Sequence, residues 1–424
     1  MSSEAVVAPK GLEDIDFFSP GTLADPHPIL RRLRRDAPVF PAHQASHGRV
    51  QYLVTTYDLV QQVLTAPHLY SSQYVAILAG EGRSHPDVDA IRAQGFQEIN
   101  SILTSDDGEH KRLRSLVGAA FVPQRVKKMG EDLVDVIESL IDGFSGRGQC
   151  DFNAEFAALL PAHSLARVMG FDHDRYADIH RWSNAIASRF GQMADIGQQI
   201  EDERAILEAK RYMVEIVRQR RAAPGDDLIS DLIAARAENE QPLSDLEILS
   251  TIFILLIGGI ETTLGLLGFV MVRLLRDPEL MAAVRVDEAL VQPLVEEVLR
   301  METPIAAMWR IARADVDLGG VSIPKGAILM TRLDSANRDE SRFANPDVFD
   351  MRRPGNMRHV SFGGGVHACL GFRLARLELA IAIPALLRRL KNISIVEDKS
   401  DLRLVPSTHA RNLRALHIAF DAET

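Results

Sequence analysis

The sequence contains very little cysteine. Two cysteines, Cys150 and Cys369, stand among 424 residues, and two cysteines cannot build the disulfide framework of a small secreted protein. Their scarcity indicates a reducing compartment such as the cytoplasm. The segment from Met1 to Asp16 also lacks an apolar core, so we expect neither a signal peptide nor a membrane anchor there.

The sequence also lacks an excess of positive charge and any clear internal division. Its 48 basic and 58 acidic residues give a net charge of −10, which argues against nucleic-acid binding. We find no linker, low-complexity tract or repeat, and a hydrophobic content of 46% is enough to bury a large core. We therefore predict a single domain over residues 1–424.

Most of the periodic patterns in the chain are helical, and a few short ones are β-like. The helical patterns cover residues 28–35, 125–144, 152–169, 177–190, 200–221, 252–272, 290–301 and 372–388. The β-like patterns cover residues 50–55, a hairpin at 319–326 and a strand pair within 402–420. The expected fold class is mainly α with a small β portion.

The most informative segment is the glycine-rich string of residues 362–371, Phe-Gly-Gly-Gly-Val-His-Ala-Cys-Leu-Gly. Cys369 stands where this loop gives way to a helical pattern. We expect the free N–H groups of the first helical turn and the helix dipole to lower the pKa of its thiol. The glycines let a flat ligand approach the backbone. A thiolate held in this way can be a nucleophile, a zinc ligand or an axial ligand to haem iron.

The residues alone leave several interpretations of Cys369 open. A buried structural role is the usual fate of a lone cysteine. Zinc would need further ligands, and only His359 and His367 are close in sequence. A nucleophile elbow requires Gly-x-nucleophile-x-Gly, and His367 occupies the first glycine position.

The complete string resembles the haem-binding loop of the cytochrome P450 family. That loop fixes Phe, Gly, His or Arg, Cys and Gly at positions filled here by Phe362, Gly365, His367, Cys369 and Gly371. The resemblance implies the P450 fold, with a long central helix over the haem. It implies haem b (iron protoporphyrin IX) as cofactor and Cys369 as the ligand to its iron. It extends over essentially the whole chain.

The apolar run at residues 252–272 is a candidate for that central helix. At about 31 Å it could span a bilayer, but Glu261 would then lie near the midplane at considerable cost. The flanks at 244–247 and 276–278 are typical of the start and end of a helix in a soluble protein. A buried central helix is therefore favoured.

The middle of this run matches the oxygen-binding motif of the P450 central helix. In Gly-Gly-Ile-Glu-Thr-Thr, Gly258 and Gly259 would leave room for O2, and Thr262 and Glu261 would relay protons to it. A threonine bonded only to a backbone carbonyl is the alternative for Thr262.

The spacing of Glu297 and Arg300 gives the family's Glu-x-x-Arg motif. Residues three apart share a helix face, so an ordinary surface ion pair is the default interpretation. By its position between the central run and the cysteine loop, it resembles the buried pair that supports the fold beneath the haem.

Four side chains match family ligands to the haem propionates. They are His110 and Arg114, one turn apart on a helical segment, Arg310 in an extended stretch, and His367 in the cysteine loop. Buried carboxylates need such donors. Each residue taken alone would be interpreted as a surface charge.

Positions that line the substrate pocket in the family are apolar here. They are Tyr74, Leu78, Leu255, Ile305, Ala306, Ala307 and Met308, with Ser407 to His409 as a further candidate turn. Because none of these is Arg or Lys, we predict a neutral apolar substrate, terpenoid or steroid-like. The alternative is that they are ordinary core residues. Residues 71–106, which include Gly80, Gly82 and Gly95, are predicted to contain a mobile lid.

The resemblance implies a soluble, cytoplasmic, monomeric monooxygenase of the bacterial type. It would hydroxylate a C–H bond with O2 and two electrons from a ferredoxin or flavodoxin with its reductase. A set of seven cations is a candidate docking patch, and a solvated helix face is the alternative. The seven are Lys111, Arg112, Arg125, Lys127, Lys128, Arg373 and Arg376. A peroxygenase, a coupling or dehydrating enzyme and a haem-thiolate sensor stay open as other functions.

Overall fold

Helices dominate the computed structural model, which describes residues 11–44, 49–79, 85–118, 121–172, 174–236 and 241–422. The α-helices are α1 (Pro20–Ala24), α2 (His27–Asp36), α3 (Tyr57–Thr65), α4 (Val75–Leu78), α5 (Pro86–Arg92), α6 (Asp107–Gly118), α7 (Pro123–Ser145), α8 (Leu159–Met169), α9 (Tyr176–Gly191), α10 (Ile196–Ala222), α11 (Leu228–Ala234), α12 (Asp245–Leu275), α13 (Pro278–Val286), α14 (Val291–Glu302), α15 (Leu333–Ala336) and α16 (Phe372–Arg389). The predicted helical class is confirmed.

Within the described part of the chain, the strands form one larger sheet and three small ones. They are β1 (Val39–Gln44), β2 (Arg49–Val54), β3 (Tyr70–Ser71), β4 (Gln149–Asp151), β5 (Ala307–Ala312), β6 (Val316–Leu318), β7 (Val321–Ile323), β8 (Ile328–Arg332), β9 (Ser394–Ile395), β10 (Asp401–Leu404), β11 (Leu413–Ala415) and β12 (His417–Ala419). The larger sheet has the order β1-β2-β8-β5-β3, and only the β2–β8 pair is parallel. Strands β6 and β7 form a hairpin that overlaps the predicted one at 319–326 but begins three residues earlier, at Val316. Strand β10 pairs with β11 as predicted.

The central helix α12 starts earlier than its apolar run because of its cap. Ser244 accepts a hydrogen bond from the Glu247 backbone N–H, and the Glu247 carboxylate accepts one from the Ser244 N–H. This reciprocal capping box satisfies two of the N–H groups that a helix start leaves free. The helix therefore begins at Asp245, on the polar side of the run.

Helix α12 passes through two hydrophobic cores. Its first half, up to Ile260, packs with α9, α10 and the sheet side of the molecule. Its second half, from Leu264, packs with α7, α14 and α16. The Gly-Gly-Ile-Glu-Thr-Thr segment lies where the two cores meet. Gly258 and Thr262 keep exposed surface there, whereas Ile260, Glu261 and Thr263 are buried.

By length and composition alone, α12 could also cross a membrane. Of its most apolar stretch, 72% is buried inside the protein. A buried core helix passes the same test of hydropathy, so the apolar run is weak evidence for a membrane span.

Candidate active site

The cysteine loop is shaped by glycine conformations that other residues rarely adopt. Gly363 has φ +70° and Gly365 has φ +64°, and a Cβ at Gly365 would collide with the Leu64 carbonyl of α3. The turn is closed by the Cys369 N–H, which donates to the Phe362 carbonyl at 2.9 Å. Cys369 is thereby fixed three residues before Phe372, the first residue of α16.

The environment of the Cys369 thiol only partly matches the sequence expectation. The backbone N–H groups of Gly371 and Phe372 and the charges of Arg114 and Arg376 favour the thiolate, as expected, but burial has a larger effect and raises the pKa of the thiol. The residue as a whole keeps exposed surface at the loop, but protein atoms surround the sulfur closely enough to disfavour its charged form. The expected lowering of the pKa is therefore wrong for the protein residues alone, because the surrounding protein removes more hydration than these donors replace.

The four predicted carboxylate-binding side chains lie together beside this loop. The rings of His110 and His367 are 3.9 Å apart, and Arg114 Nη1 donates to the Ala368 carbonyl at 2.7 Å. The charges of Arg114 and Arg310 act on both imidazoles. Three distant parts of the chain, α6, β5 and the cysteine loop, thus meet in one cluster.

This cluster has the donors that two buried carboxylates require. Burial and the neighbouring arginines lower the pKa of His110 and bring that of His367 to about 3, so both rings are neutral N–H donors. His110 Nε2 is buried and has no hydrogen-bond partner among the described residues. The two arginines supply the charge, and the residues present fit the propionates of a haem.

The Glu297–Arg300 pair is buried and not a surface ion pair. Both side chains are 0% exposed, and the carboxylate accepts from the guanidinium at 2.8 and 2.9 Å. Arg353 also donates to Glu297 at 3.1 Å. Arg300 continues to the carbonyls of Asn337 and Pro346, both at 2.9 Å. The pair therefore ties α14 to the chain that leads into the cysteine loop.

The neighbouring residue Glu296 makes a second connection that the sequence motif did not reveal. It accepts from Arg376 of α16 at 2.5 and 2.8 Å and contacts His359 Nε2 at 3.0 Å. Although burial opposes ionisation, these hydrogen bonds bring the pKa of Glu296 to about 2. His359, which had no predicted role, and Arg376 thus anchor α14 against the cysteine helix.

The open face of α12 contains the predicted oxygen-binding residues. A methyl group placed on Gly258 would meet no atom within 4 Å, and one on Gly259 would meet Leu165 at 3.5 Å. The Thr262 hydroxyl is half-buried and donates to the Gly258 carbonyl at 2.7 Å. Gly258 therefore faces free space in the middle of an otherwise buried helix.

Glu261 faces a different side of α12, toward α9 and the chain before β11. Its hydrogen-bonding neighbours are Ser183 and Asn412, and Asn412 Nδ2 donates to Glu261 Oε2 at 3.1 Å. Burial raises the pKa of Glu261 to about 7. Since neither neighbour is charged, the carboxyl group can gain and lose a proton near neutral pH.

A second buried acid, Glu378 of α16, was not predicted. The Thr263 hydroxyl donates to Glu378 Oε2 at 3.2 Å, and Ser164 of α8 also faces it. Burial raises the pKa of Glu378 to about 7 as well. The only signal in the sequence was a single glutamate on the apolar side of a helix.

The candidate pocket residues divide into two groups. Leu255, Ile305 and Met308 keep partial exposure. Tyr74, Leu78, Ala306 and Ala307 are almost completely buried among core residues. Leu255 lies on α12, Ile305 just before β5 and Met308 within β5, and all three side chains are apolar.

Known proteins resemble this chain over nearly its full length. A family profile described as Cytochrome P450 matches residues 54–404. Cytochrome P450 107B1 of Saccharopolyspora erythraea is 33% identical over 96% of this chain and 97% of its own length.

Two solved structures extend the comparison. The structure of P450BioI in complex with a hexadec-9Z-enoic acid ligated acyl carrier protein has a TM-score of 0.83 at 29% identity and covers 95% of this chain and 99% of that one. The structure of CYP109E1 from Bacillus megaterium in complex with corticosterone has a TM-score of 0.79 at 27% identity, with coverages of 95% and 100%. With the profile match and the position of Cys369, they show that this chain belongs to the cytochrome P450 family and is an oxidoreductase, a monooxygenase with haem b as its cofactor.

Proposed function

We propose that the enzyme hydroxylates a C–H bond of a small to medium, neutral apolar molecule of terpenoid or steroid-like shape. The electrons would come from a ferredoxin or flavodoxin with its reductase. The observation that carries this proposal is the open face of α12, where free space at Gly258 adjoins the Thr262 hydroxyl. Glu261, with a pKa of about 7, is the next residue on the same helix but faces its other side. An oxygen-activating enzyme needs room at Thr262 and a proton source near it.

The cofactor would be held by the residues described above. The Cys369 thiolate would bind the iron, with the N–H groups of Gly371 and Phe372 directed at the sulfur. Arg114 and Arg310 would neutralise the propionates, and His110 and His367 would donate hydrogen bonds to them. When bound, the haem supplies the oxygen activation, which in P450 enzymes the thiolate promotes by donating electron density.

The protein's own chemistry is proton delivery. The Thr262 hydroxyl now donates to the Gly258 carbonyl, and rotation about one bond would direct it into the open space. Glu261 can hold a proton at neutral pH and release it. The combination of Thr262 and Glu261 favours oxygen activation with external electrons over a reaction driven by peroxide.

The substrate class follows from the exposed lining residues. Leu255, Ile305 and Met308 offer apolar contacts and no charge that would bind a carboxylate. The relative crystallised with corticosterone shows that this fold accommodates a steroid, whereas P450BioI was crystallised with a fatty acid ligated to a carrier protein. The uncharged lining favours the first kind of molecule.

The surroundings of the enzyme are part of the proposal. We expect a monomeric, single-domain protein in the cytoplasm that acts on a free small molecule, without nucleic acid or membrane. The scarcity of cysteine and the acidic net charge support this.

A titration of the purified ferric enzyme tests the substrate class. Steroids, terpenoids, fatty acids and aromatic acids are added while the visible absorbance is followed. A shift toward high spin with steroids or terpenoids, followed by hydroxylated product with a ferredoxin system, supports the proposal. A shift with fatty acids alone contradicts the neutral class, and efficient turnover with hydrogen peroxide but not with ferredoxin contradicts the electron source.

A further inference from the structure

His409 lies at the junction between the end of α9 and the stretch that leads into β5. The Thr408 N–H donates to the Gly191 carbonyl at 3.1 Å, and the Ala306 N–H donates to the His409 carbonyl at 2.8 Å. Ile305 also forms a β-bridge with Ala410. His409 therefore lies beside the partly exposed pocket residue Ile305.

The orientation of the His409 ring is fixed by aromatic neighbours. It stacks on Trp309 with centroids 5.3 Å apart and planes 18° apart, and it meets Phe190 of α9 edge-on at 6.1 Å. Trp309 is itself held by a 3.0 Å hydrogen bond from its Nε1 to Gln51. The imidazole thus has little freedom to turn.

The tautomer of His409 follows from one hydrogen bond. Its Nδ1 lies 3.0 Å from the Ala307 carbonyl oxygen, which can only accept, so the hydrogen must be on Nδ1. Burial lowers the pKa of His409 to about 4, so the ring is neutral at physiological pH. Nε2 then carries a lone pair and acts only as an acceptor.

No described residue donates to Nε2 of His409. The residue is 7% exposed, and with one ring face on Trp309 and Nδ1 on Ala307, Nε2 is the polar atom left for a ligand. Nε2 is not one of the fully enclosed polar atoms of the described residues, so a ligand can reach it. A group that donates a hydrogen to it gains the free energy of an ordinary hydrogen bond.

We propose that His409 is a specificity-determining residue whose Nε2 accepts a hydrogen bond from a hydroxyl or N–H group of the substrate. This inference rests on the proposed function and narrows it to neutral alcohols or amides. A carboxylate has no hydrogen to donate and would meet a lone pair, so acids are disfavoured. The apolar remainder of the substrate would lie along Ile305, Met308 and Leu255.

Three ligands that share the same twelve-carbon chain and differ in the polar group test the proposal on the haem-loaded enzyme. They are 1-dodecanol, its methyl ether, which cannot donate, and dodecanoate. Dissociation constants are measured from the change in visible absorbance for wild type, His409→Phe and His409→Gln. Phe keeps an aromatic ring on Trp309 without an acceptor, and Gln can place an acceptor oxygen near the position of Nε2.

In wild type, dodecanol should bind about fivefold more tightly than its ether, the value of one ordinary hydrogen bond, and dodecanoate should bind most weakly. His409→Phe should bring the ratio of alcohol to ether to about one, and His409→Gln should keep most of the preference. The proposal is overturned if the ratio of alcohol to ether is unchanged in His409→Phe. It is also overturned if wild type binds dodecanoate most tightly or shows no absorbance change with dodecanol. If the ratio of alcohol to ether affinity is unchanged in His409→Phe but the wild-type enzyme still hydroxylates the ether, this inference fails and the proposed function stands. If the wild-type enzyme turns over neither ligand with the ferredoxin system, the proposed function itself fails.

Discussion

Two adjacent threonines of α12 have different partners. The Thr262 hydroxyl donates to a backbone carbonyl of its own helix and lies next to the open space at Gly258. Thr263 is buried and donates to Glu378 of another helix. Of the two, Thr262 can change partners without breaking a contact between helices, which suits a group that delivers protons.

Replacing Thr262 by alanine should therefore uncouple the enzyme without unfolding it. We expect hydroxylated product per NADH consumed to fall by about tenfold or more and hydrogen peroxide to rise, because the hydroxyl group that delivers protons is lost. Product, NADH and peroxide are measured together with the ferredoxin system. Thr262→Ser is the matched control, because it keeps the hydroxyl, and coupling unchanged in Thr262→Ala would exclude Thr262 from the mechanism.

The two buried glutamates should make folding stability depend on pH. Burial raises the pKa of Glu261 and of Glu378 from 4.5 to about 7. As the pH rises above about 4.5, the unfolded chain releases these protons while the folded protein retains them, so stability falls until about pH 7 and then levels off.

Each glutamine variant should remove its share of this loss. From pH 5 to pH 7.5, the free energy of unfolding should fall by about 2 kcal/mol less in Glu261→Gln than in wild type. Urea denaturation of the haem-loaded protein at both pH values measures it. Glu215→Gln, at an exposed position of α10, is the control. Equal pH dependence in wild type and Glu261→Gln would show that this carboxyl is ionised throughout.

At the scale of elements, the sequence predicted helices better than strands. The pattern at residues 200–221 corresponds to α10, and the helix at Phe372 begins as predicted. Strand β5 was anticipated only as an extended stretch around Arg310. Strand β8 was missed, because it is buried along its whole length and has no alternation to recognise. The predicted helix at 152–169 begins with a π-helical turn, Asn153–Ala157, and α8 follows from Leu159. No residue type in this segment indicates a π-helical turn.

Buried ion pairs attach the predicted lid segment, residues 71–106, to α9 and α10. Glu98 pairs with Arg189 of α9 at 2.8 Å and with Lys210 of α10 at 2.9 Å, and the Lys210 amine also donates to the Phe96 carbonyl. Burial opposes ionisation of Glu98, but the two cations keep its pKa lowered. Gly80 and Gly82 of the predicted lid lie outside the described residues.

Removing the charge of Glu98 should loosen this attachment. Removing one member of a buried ion-pair cluster leaves the charges of the others uncompensated. Glu98→Gln should therefore raise the dissociation rate of a bound substrate by roughly tenfold or more. Stopped-flow displacement, followed by the haem absorbance, measures the rate. Glu208→Gln, on the exposed pair with Arg181, is the control, because it removes a charge from α10 without touching the predicted lid segment. An unchanged rate in Glu98→Gln would mean that the segment does not control access.

For the whole molecule, local motifs located the site and distant contacts completed it. The cysteine loop, the central motif and Glu-x-x-Arg are short strings whose spacing could be read directly. The partners of Glu296 and Glu378 could not, because they come from residues 63 to 115 positions away. Such contacts depend on how helices pack, and no local pattern encodes that.

The same limit applies to the candidate docking patch. Lys111, Lys127 and Arg373 are exposed on α6, α7 and α16. Arg112 instead pairs with Glu247, and Arg376 with Glu296, so these two cations of the predicted patch support the fold. The side chains of Arg125 and Lys128 lie outside the described residues.

Helices α6 and α16 both adjoin the cysteine loop, through Arg114 and through Cys369 itself, so an acidic electron donor bound there would approach the haem edge. Arg373→Glu should therefore raise the KM for ferredoxin by several-fold at low salt, about 20 mM, and much less at about 300 mM, where charges on the surface are screened. The dissociation constant for substrate should not change. Arg204→Glu, at an exposed cation of α10, changes the net charge equally and should have little effect. If both variants raise the KM alike, net charge and not this surface governs the encounter, and the patch is a solvated helix face.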